Sequence, residues 1–122
     1  MLCLLNRFCW VEVGAHLIAG DPRTAFRRYW RGRRAVTVQV EGIPVLTTYH
    51  RPSDVARALG AACAVVGIRG LAVMVPPPHL AQRWLKLSPG VRRAVERADA
   101  LLAARRPFSR MGDHFVIELE KR

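Results

Sequence analysis

A small mixed α/β domain is predicted by three stretches of this sequence. The first is Ala64–Pro78, AVVGIRGLAVMVPPP, too rich in Val and Ile and too marked by Gly67 and Gly70 for a comfortable helix. It reads as a long strand, Ala64–Val75, buried on both faces for much of its length, with a bulge or bend at the glycines. Pro76, Pro77 and Pro78 cannot donate ladder hydrogen bonds, so the strand must stop there. The second stretch is Asp113–Lys121, where Phe115, Ile117 and Leu119 alternate with His114, Val116, Glu118 and Glu120 in a period of two. The third lies between them: Val91, Val95, Ala98 and Leu102 fall on one stripe of a helix that Ser88-Pro89 caps and starts.

The remaining elements follow in order. Leu2–Leu5 is strand-like, and Asn6-Arg7 ends it. Trp10, Val13 and Leu17 recur at helical spacing, with Glu12 and His16 one turn apart on another side. Gly20 closes that helix, Asp21 caps the next, and Pro22 suits its first turn. This second helix is expected over Pro22–Trp30. Ala35–Glu41 and Ile43–Tyr49 form a hairpin, with Gly42 supplying positive φ at the turn and Pro44 on an edge position. A short helix runs from Pro52 to Leu59, stopped by Gly60. After the prolines, Leu80 and Trp84 stand one helical turn apart.

With 122 residues, 51% of them hydrophobic, the chain is a single domain and not a disordered one. The net charge of +11 comes almost wholly from arginine, Lys86 and Lys121 being the only lysines. Such a balance suits nucleic acid, an acidic membrane surface or an anionic substrate; arginines decorating exposed helix faces also produce it, and their spread along the chain, not gathered in one stripe, favours that plainer reading. The densest group is Arg23, Arg27, Arg28, Arg31, Arg33 and Arg34, interleaved with Phe26, Tyr29 and Trp30. Cys3, Cys9 and Cys63 lack any paired spacing and read as buried small hydrophobes in a reducing compartment, neither a disulfide framework nor a zinc site. Arg69 interrupts the longest apolar run, so no membrane span and no membrane partner are expected, and the cytoplasm is the expected location.

Few motifs carry chemistry. No G-x-G occurs, so no phosphate-cradling loop is present. His16, His50, His79 and His114 have no metal-ligand spacing. VPPPHL is similar to the Asn/Asp-Pro-Pro-aromatic motif of amino-group methyltransferases, but Val75 stands where that motif has its polar residue, and a rigid strand exit explains the prolines. Asn6 and Arg7 stand at the carboxyl end of an early strand and before a helix, where open α/β sheets place their ligand crevice. Arg7 can hold a carboxylate or other anion, Asn6 can donate to an oxygen, and Trp10 can wall a small-molecule pocket. The same pair can equally well solvate a turn.

The order of elements resembles the C-terminal half of bacterial class I S-adenosylmethionine-dependent methyltransferases of the small-molecule type. The resemblance rests on the strand ending in Asn6-Arg7, the helix with Trp10 and Glu12, and the stretches PRTAFRRYWRGR and HRPSDVARALG. It continues through the long strand exiting as VPPP to GDHFVIEL at the terminus. It implies a partial Rossmann-like sheet: Leu2–Leu5 as the family's fifth strand, Ala64–Val75 as the sixth, and Asp113–Lys121 as the seventh, antiparallel between them. Residues 35–49 correspond to a hairpin insert that often covers substrate, and residues 1–122 to the substrate-side half of a methyltransferase domain. The family's acidic-x-Gly-x-Gly loop and ribose-holding acidic residue have no counterpart, so no cofactor residue is assigned. S-adenosylmethionine is implied by the resemblance alone and is not expected to bind this chain by itself. Asn6, Arg7 and Trp10 carry over as substrate-side lining, and no catalytic residue is identified.

Met1 opens directly onto an apolar strand, which points to a missing segment upstream. The expected partners are therefore a small-molecule substrate and a separate N-terminal half, or a second copy, joined through the Leu2–Leu5 edge. The alternative function is a small basic α+β module contacting nucleic acid through Phe26–Arg34.

Overall fold

Residue His114 stands where two strand ends meet, opposite Leu5 of one strand and Leu71 of another. The computed structural model that shows this describes residues 1–30, 35–77 and 80–122. Its elements are β1 (Leu2–Leu5), α1 (Trp10–Ile18), α2 (Pro22–Ala25), α3 (Arg27–Trp30), β2 (Val36–Val40), β3 (Ile43–Thr47) and α4 (Pro52–Leu59). They continue with β4 (Cys63–Leu71), α5 (Ala81–Leu85), α6 (Pro89–Leu102), a 3₁₀ turn at Phe108–Arg110, and β5 (His114–Lys121). The main sheet has the order β1-β5-β4, with β5 antiparallel to both neighbours. Hence β1 and β4 run parallel without touching, and their carboxyl ends lie side by side at the start of β5.

The alternation read in the last strand fixes which face is buried. Phe115 and Ile117 are fully buried and pack with Val55 of α4, and Leu4, Leu59, Ile68 and Leu119 close around them. The fixed period of two turns His114, Val116, Glu118 and Glu120 to the other face. The pairing of β4 with β5 shifts register between Val65 and Gly67, so a bulge falls where Gly67 was expected to make one.

The strand β4 is shorter than the sequence predicted. It ends at Leu71, not Val75, and it is not buried on both faces: Val66 is 63% exposed and only Gly70 along it is buried. The chain leaves the sheet through Ala72, whose φ is +51°, because the turn before β5 crosses there at close range. Asp113 donates its backbone N–H to the Ala72 carbonyl, and a Cβ on Gly112 would lie 2.3 Å from the Leu71 carbonyl oxygen. Met74 and Val75 then donate their N–H groups to the Asp99 carboxylate of α6 instead of to a strand. The departure is thus set by a crossing, not by the prolines.

Helix boundaries follow the local signals. The Asp21 side chain accepts from the Thr24 N–H and Ser88 from the Val91 N–H, as capping residues do. The second helix breaks at Phe26 into α2 and α3, where Tyr29 and Trp30 both donate back to the Phe26 carbonyl. The stripe on α6 is only half covered: no residue of α6 is buried, and Val91 is exposed. Of the cysteines, Cys9 is buried as expected, but Cys3 is exposed and Cys63 half-buried.

The hairpin β2–β3 forms a two-stranded sheet of its own. Its turn has positive φ at both Glu41 (51°) and Gly42 (81°), the geometry of a tight two-residue connection. Among the described residues no helix is long and apolar enough to cross a membrane.

Candidate functional site

The carboxyl ends of β1 and β4, the start of α1 and the start of β5 converge on one corner. Asn6, Arg7 and Trp10 all lie there, as the sequence predicted, but the three do different things. Asn6 is buried, and its amide is fully engaged. Nδ2 donates to the carbonyls of Arg110 (2.8 Å) and Gly112 (3.0 Å), while Oδ1 accepts from the Phe8 N–H (3.4 Å). Its amide ties β1 to the turn that feeds β5, with Nδ2 donating twice within the chain. Trp10 donates Nε1–H to the Val73 carbonyl at 2.5 Å and so pins the segment after β4 against α1.

Arg7 stands apart from these closed arrangements. It is 8% exposed, yet Nε and Nη2 have no hydrogen-bond partner among the described residues. Those two nitrogens form the side-on edge of a guanidinium, the fork that matches a carboxylate or phosphate in two parallel bonds. The Arg7 backbone is held instead: its N–H donates to the His50 carbonyl, while the His50 N–H donates to the Leu5 carbonyl. His50 thereby covers the carboxyl end of the outer β1 edge as a one-residue parallel bridge.

Behind this turn lies a buried ionic network that the sequence did not reveal. Arg28 Nη2 contacts Asp113 Oδ1 at 2.7 Å and also Glu12 Oε2, and Arg28 Nη1 donates to the Asn6 carbonyl at 2.8 Å. Arg27 Nη2 donates to Glu12 Oε1 at 2.7 Å, and His114 Nδ1 sits 2.9 Å from Asp113 Oδ2. Glu12, Arg28 and Asp113 are each more than nine-tenths buried. The Arg28 guanidinium also stacks on the Tyr49 ring, 4.6 Å from its centre. Burial alone disfavours the charged guanidinium, but Glu12 and Asp113 outweigh it and hold the Arg28 pKa above its ordinary value. Burial pushes Tyr49 up as well, against the opposing pull of Arg28.

Donor atoms of Cys9, Glu12 and Asp113 come within 4.8 Å of one another, so the group could be read as a metal centre. The chemistry points elsewhere. A single Arg28 nitrogen already bridges both carboxylates as their cation. Burial also pushes the Cys9 thiol up to about 11, which keeps it protonated and a poor ligand or nucleophile at neutral pH.

Only Asp and Glu at 9 positions face Lys and Arg at 20, so each buried carboxylate in this chain has many possible cations. No local spacing selects Arg28 for Asp113, which is 85 positions away. The described part of the Phe26–Arg34 segment turns largely inward. Tyr29 packs edge-on against Phe8 and Phe26, and Arg27 and Arg28 serve the network. Trp30 is 66% exposed, and Arg31, Arg33 and Arg34 lie outside the described residues.

No protein-family model matches this chain, and no curated protein matches it.

Proposed function

We propose that this chain is the substrate-side portion of an S-adenosylmethionine-dependent methyltransferase, acting on a small molecule together with a separate cofactor-binding portion. One observation carries the reading: the order β1-β5-β4 with β5 antiparallel in the middle. A strand that comes last in the chain, inserted between two parallel strands that precede it, is the arrangement the resemblance implies for the family's fifth, seventh and sixth strands. The turn Asn6–Trp10 then lies at the carboxyl end of β1, where a ligand crevice of such a sheet opens.

The residues of this chain do not fit the cofactor by themselves, since no described turn supplies a glycine-rich cradle or a ribose-holding carboxylate. The chain's own contribution is positional. The Arg28 network fixes the corner between β1, α1 and β5, and Trp10 holds the segment after β4. Together they present a rigid wall on the acceptor side, of the kind that alignment and exclusion of water demand.

The outer edge of β1 from Leu2 to Leu4 pairs with no strand among the described residues, and Met1 and Leu2 are exposed. This supports a partner strand on that side. Binding to nucleic acid through Phe26–Arg34 is the weaker reading, because Arg27 and Arg28 are spent on Glu12 and Asp113.

The test begins with the coding sequence upstream and the adjacent genes. An acidic-x-Gly-x-Gly strand–turn–helix should be encoded there. Co-expressed with this chain, its product should co-purify with it and bind S-adenosylhomocysteine by calorimetry, which the chain alone should not. Alone, the chain should self-associate in size-exclusion chromatography, and Leu2→Lys should shift it towards monomer. A stable monomer with no such segment encoded nearby overturns the proposal.

A further inference from the structure

Arg7 carries a buried positive charge that the described chain does not neutralise. It follows Asn6, whose carbonyl accepts from Arg28, and it is 8% exposed. Among the described residues, Glu12 faces Arg27 and Arg28, and Asp113 faces Arg28. Two carboxylates thus meet two guanidiniums, and Arg7 adds a third to the same corner. Its Nε and Nη2 atoms are buried and bond to nothing among those residues. Residues 31–34 and 78–79, outside the described set, include no Asp or Glu. A guanidinium does not shed its proton, and holding it out of water without a counter-charge is costly. Water can complete its hydrogen bonds but leaves the charge uncompensated. An anion from outside the chain answers both needs.

The shape and charge of that anion follow from the guanidinium. Nε–H and one Nη2–H lie parallel in one plane and match the two oxygens of a planar group. One uncompensated positive charge matches a monoanion. A phosphate dianion would call for a second cation, and the described arginines around the turn are engaged elsewhere. Arg27 and Arg28 are committed to Glu12 and Asp113, and Arg51 lies over the Tyr29 ring. We propose that Arg7 holds the carboxylate of the small-molecule substrate in two parallel bonds. That the carboxylate belongs to a methyl acceptor rests on the function proposed above; the need for an anion rests on Arg7 alone. The fork is fixed in advance, because the Arg7 N–H is bonded to the His50 carbonyl and the neighbouring Asn6 amide is tied to the turn before β5. Both nitrogens are shielded from bulk water, so each bond counts for more than at an exposed arginine.

The experiment titrates the isotope-labelled full chain with acetate, acetamide or inorganic phosphate, the ionic strength being held constant with sodium chloride. The readout is the Arg7 Nε–H resonance, assigned through the Arg7 backbone. Acetate should shift it saturably, with half-saturation at about 1–10 mM, as so small an anion allows. Acetamide, which has the shape without the charge, should not shift it. Phosphate should bind at least about threefold more weakly than acetate. Arg7→Met should lose the rise in melting temperature that acetate gives the unaltered chain. It should nevertheless melt no lower than the unaltered chain in acetate-free buffer, because it removes a buried charge without stranding a carboxylate. Should Arg7→Met fail to fold, the contrast between acetate and acetamide on the unaltered chain decides. No saturable shift, an equal shift with acetamide, tighter binding of phosphate, or a folded Arg7→Met chain that keeps the acetate response would each overturn the proposal. None of these measurements uses S-adenosylmethionine or a second chain, so a failure here leaves the co-purification test to judge the methyltransferase reading by itself. Acetate binding in a chain with no cofactor-binding portion encoded nearby keeps the carboxylate site and removes the methyl acceptor.

Discussion

Arg28 does three jobs with one guanidinium: it pairs with Glu12, pairs with Asp113 and donates to the carbonyl of Asn6. Removing it takes the guanidinium from the buried Asp113 and leaves Arg27 to face Glu12. Arg28→Ala should therefore cost about 3–5 kcal/mol of unfolding free energy, read as a lowered urea midpoint. Arg28→Lys should recover only part of that loss, because an ammonium cannot span two carboxylates and a carbonyl in one plane. The reverse lesson applies to Cys9. Its thiol is pushed from an ordinary 9.0 to about 11 by burial, so the folded chain keeps a proton that the unfolded chain loses first. Stability from this source is complete below pH 9 and drains away as pH rises through 11, by about 2–3 kcal/mol in all. Denaturation midpoints measured from pH 8 to pH 11 should fall less steeply in Cys9→Ala than in the unaltered chain. The raised Tyr49 acts in the same direction and should leave a residual slope.

At the scale of elements, what was legible in the sequence is what local chemistry decides. Pro52 and Gly60 bound α4 as read, because a proline suits a first turn and a glycine ends a helix without help from the rest of the fold. The Glu41-Gly42 turn and the bulge at Gly67 were equally visible. What escaped were boundaries set by distant residues. Nothing in AVVGIRGLAVMV says that Ala72 must turn aside, since the cause is Gly112 and Asp113 arriving from far along the chain. The ionic network escaped for the same reason, while Asn6, Arg7 and Trp10 were legible as a place but not in their separate roles. The hairpin turn offers a check on local reasoning. Glu41 holds a φ of +51°, which Asn adopts more readily. Glu41→Asn should raise stability by about 0.5 kcal/mol, seen as a rise of a few degrees in melting temperature.

At the scale of the whole molecule, the core is small for the apolar content of the chain. Val55, Phe115 and Ile117 form its buried centre, while Ile18, Leu85 and Leu101 are each well over half exposed. A sequence that is 51% hydrophobic but encloses so little is arranged for more contact than one copy of this chain supplies. The β1 edge from Leu2 to Leu4, which pairs with no strand among the described residues, is one place where such a contact can form.

The central position of β5 has a consequence for how the protein is made. Both of its neighbours leave the ribosome before it does, and neither can pair with the other. The sheet therefore cannot assemble as the chain emerges; it waits for its latest strand, with β1 and β4 exposed in the interval. Closing contacts so far apart in sequence is slow. A nascent chain stalled before His114 would carry two unpaired strands, which makes it a natural client for a holding chaperone.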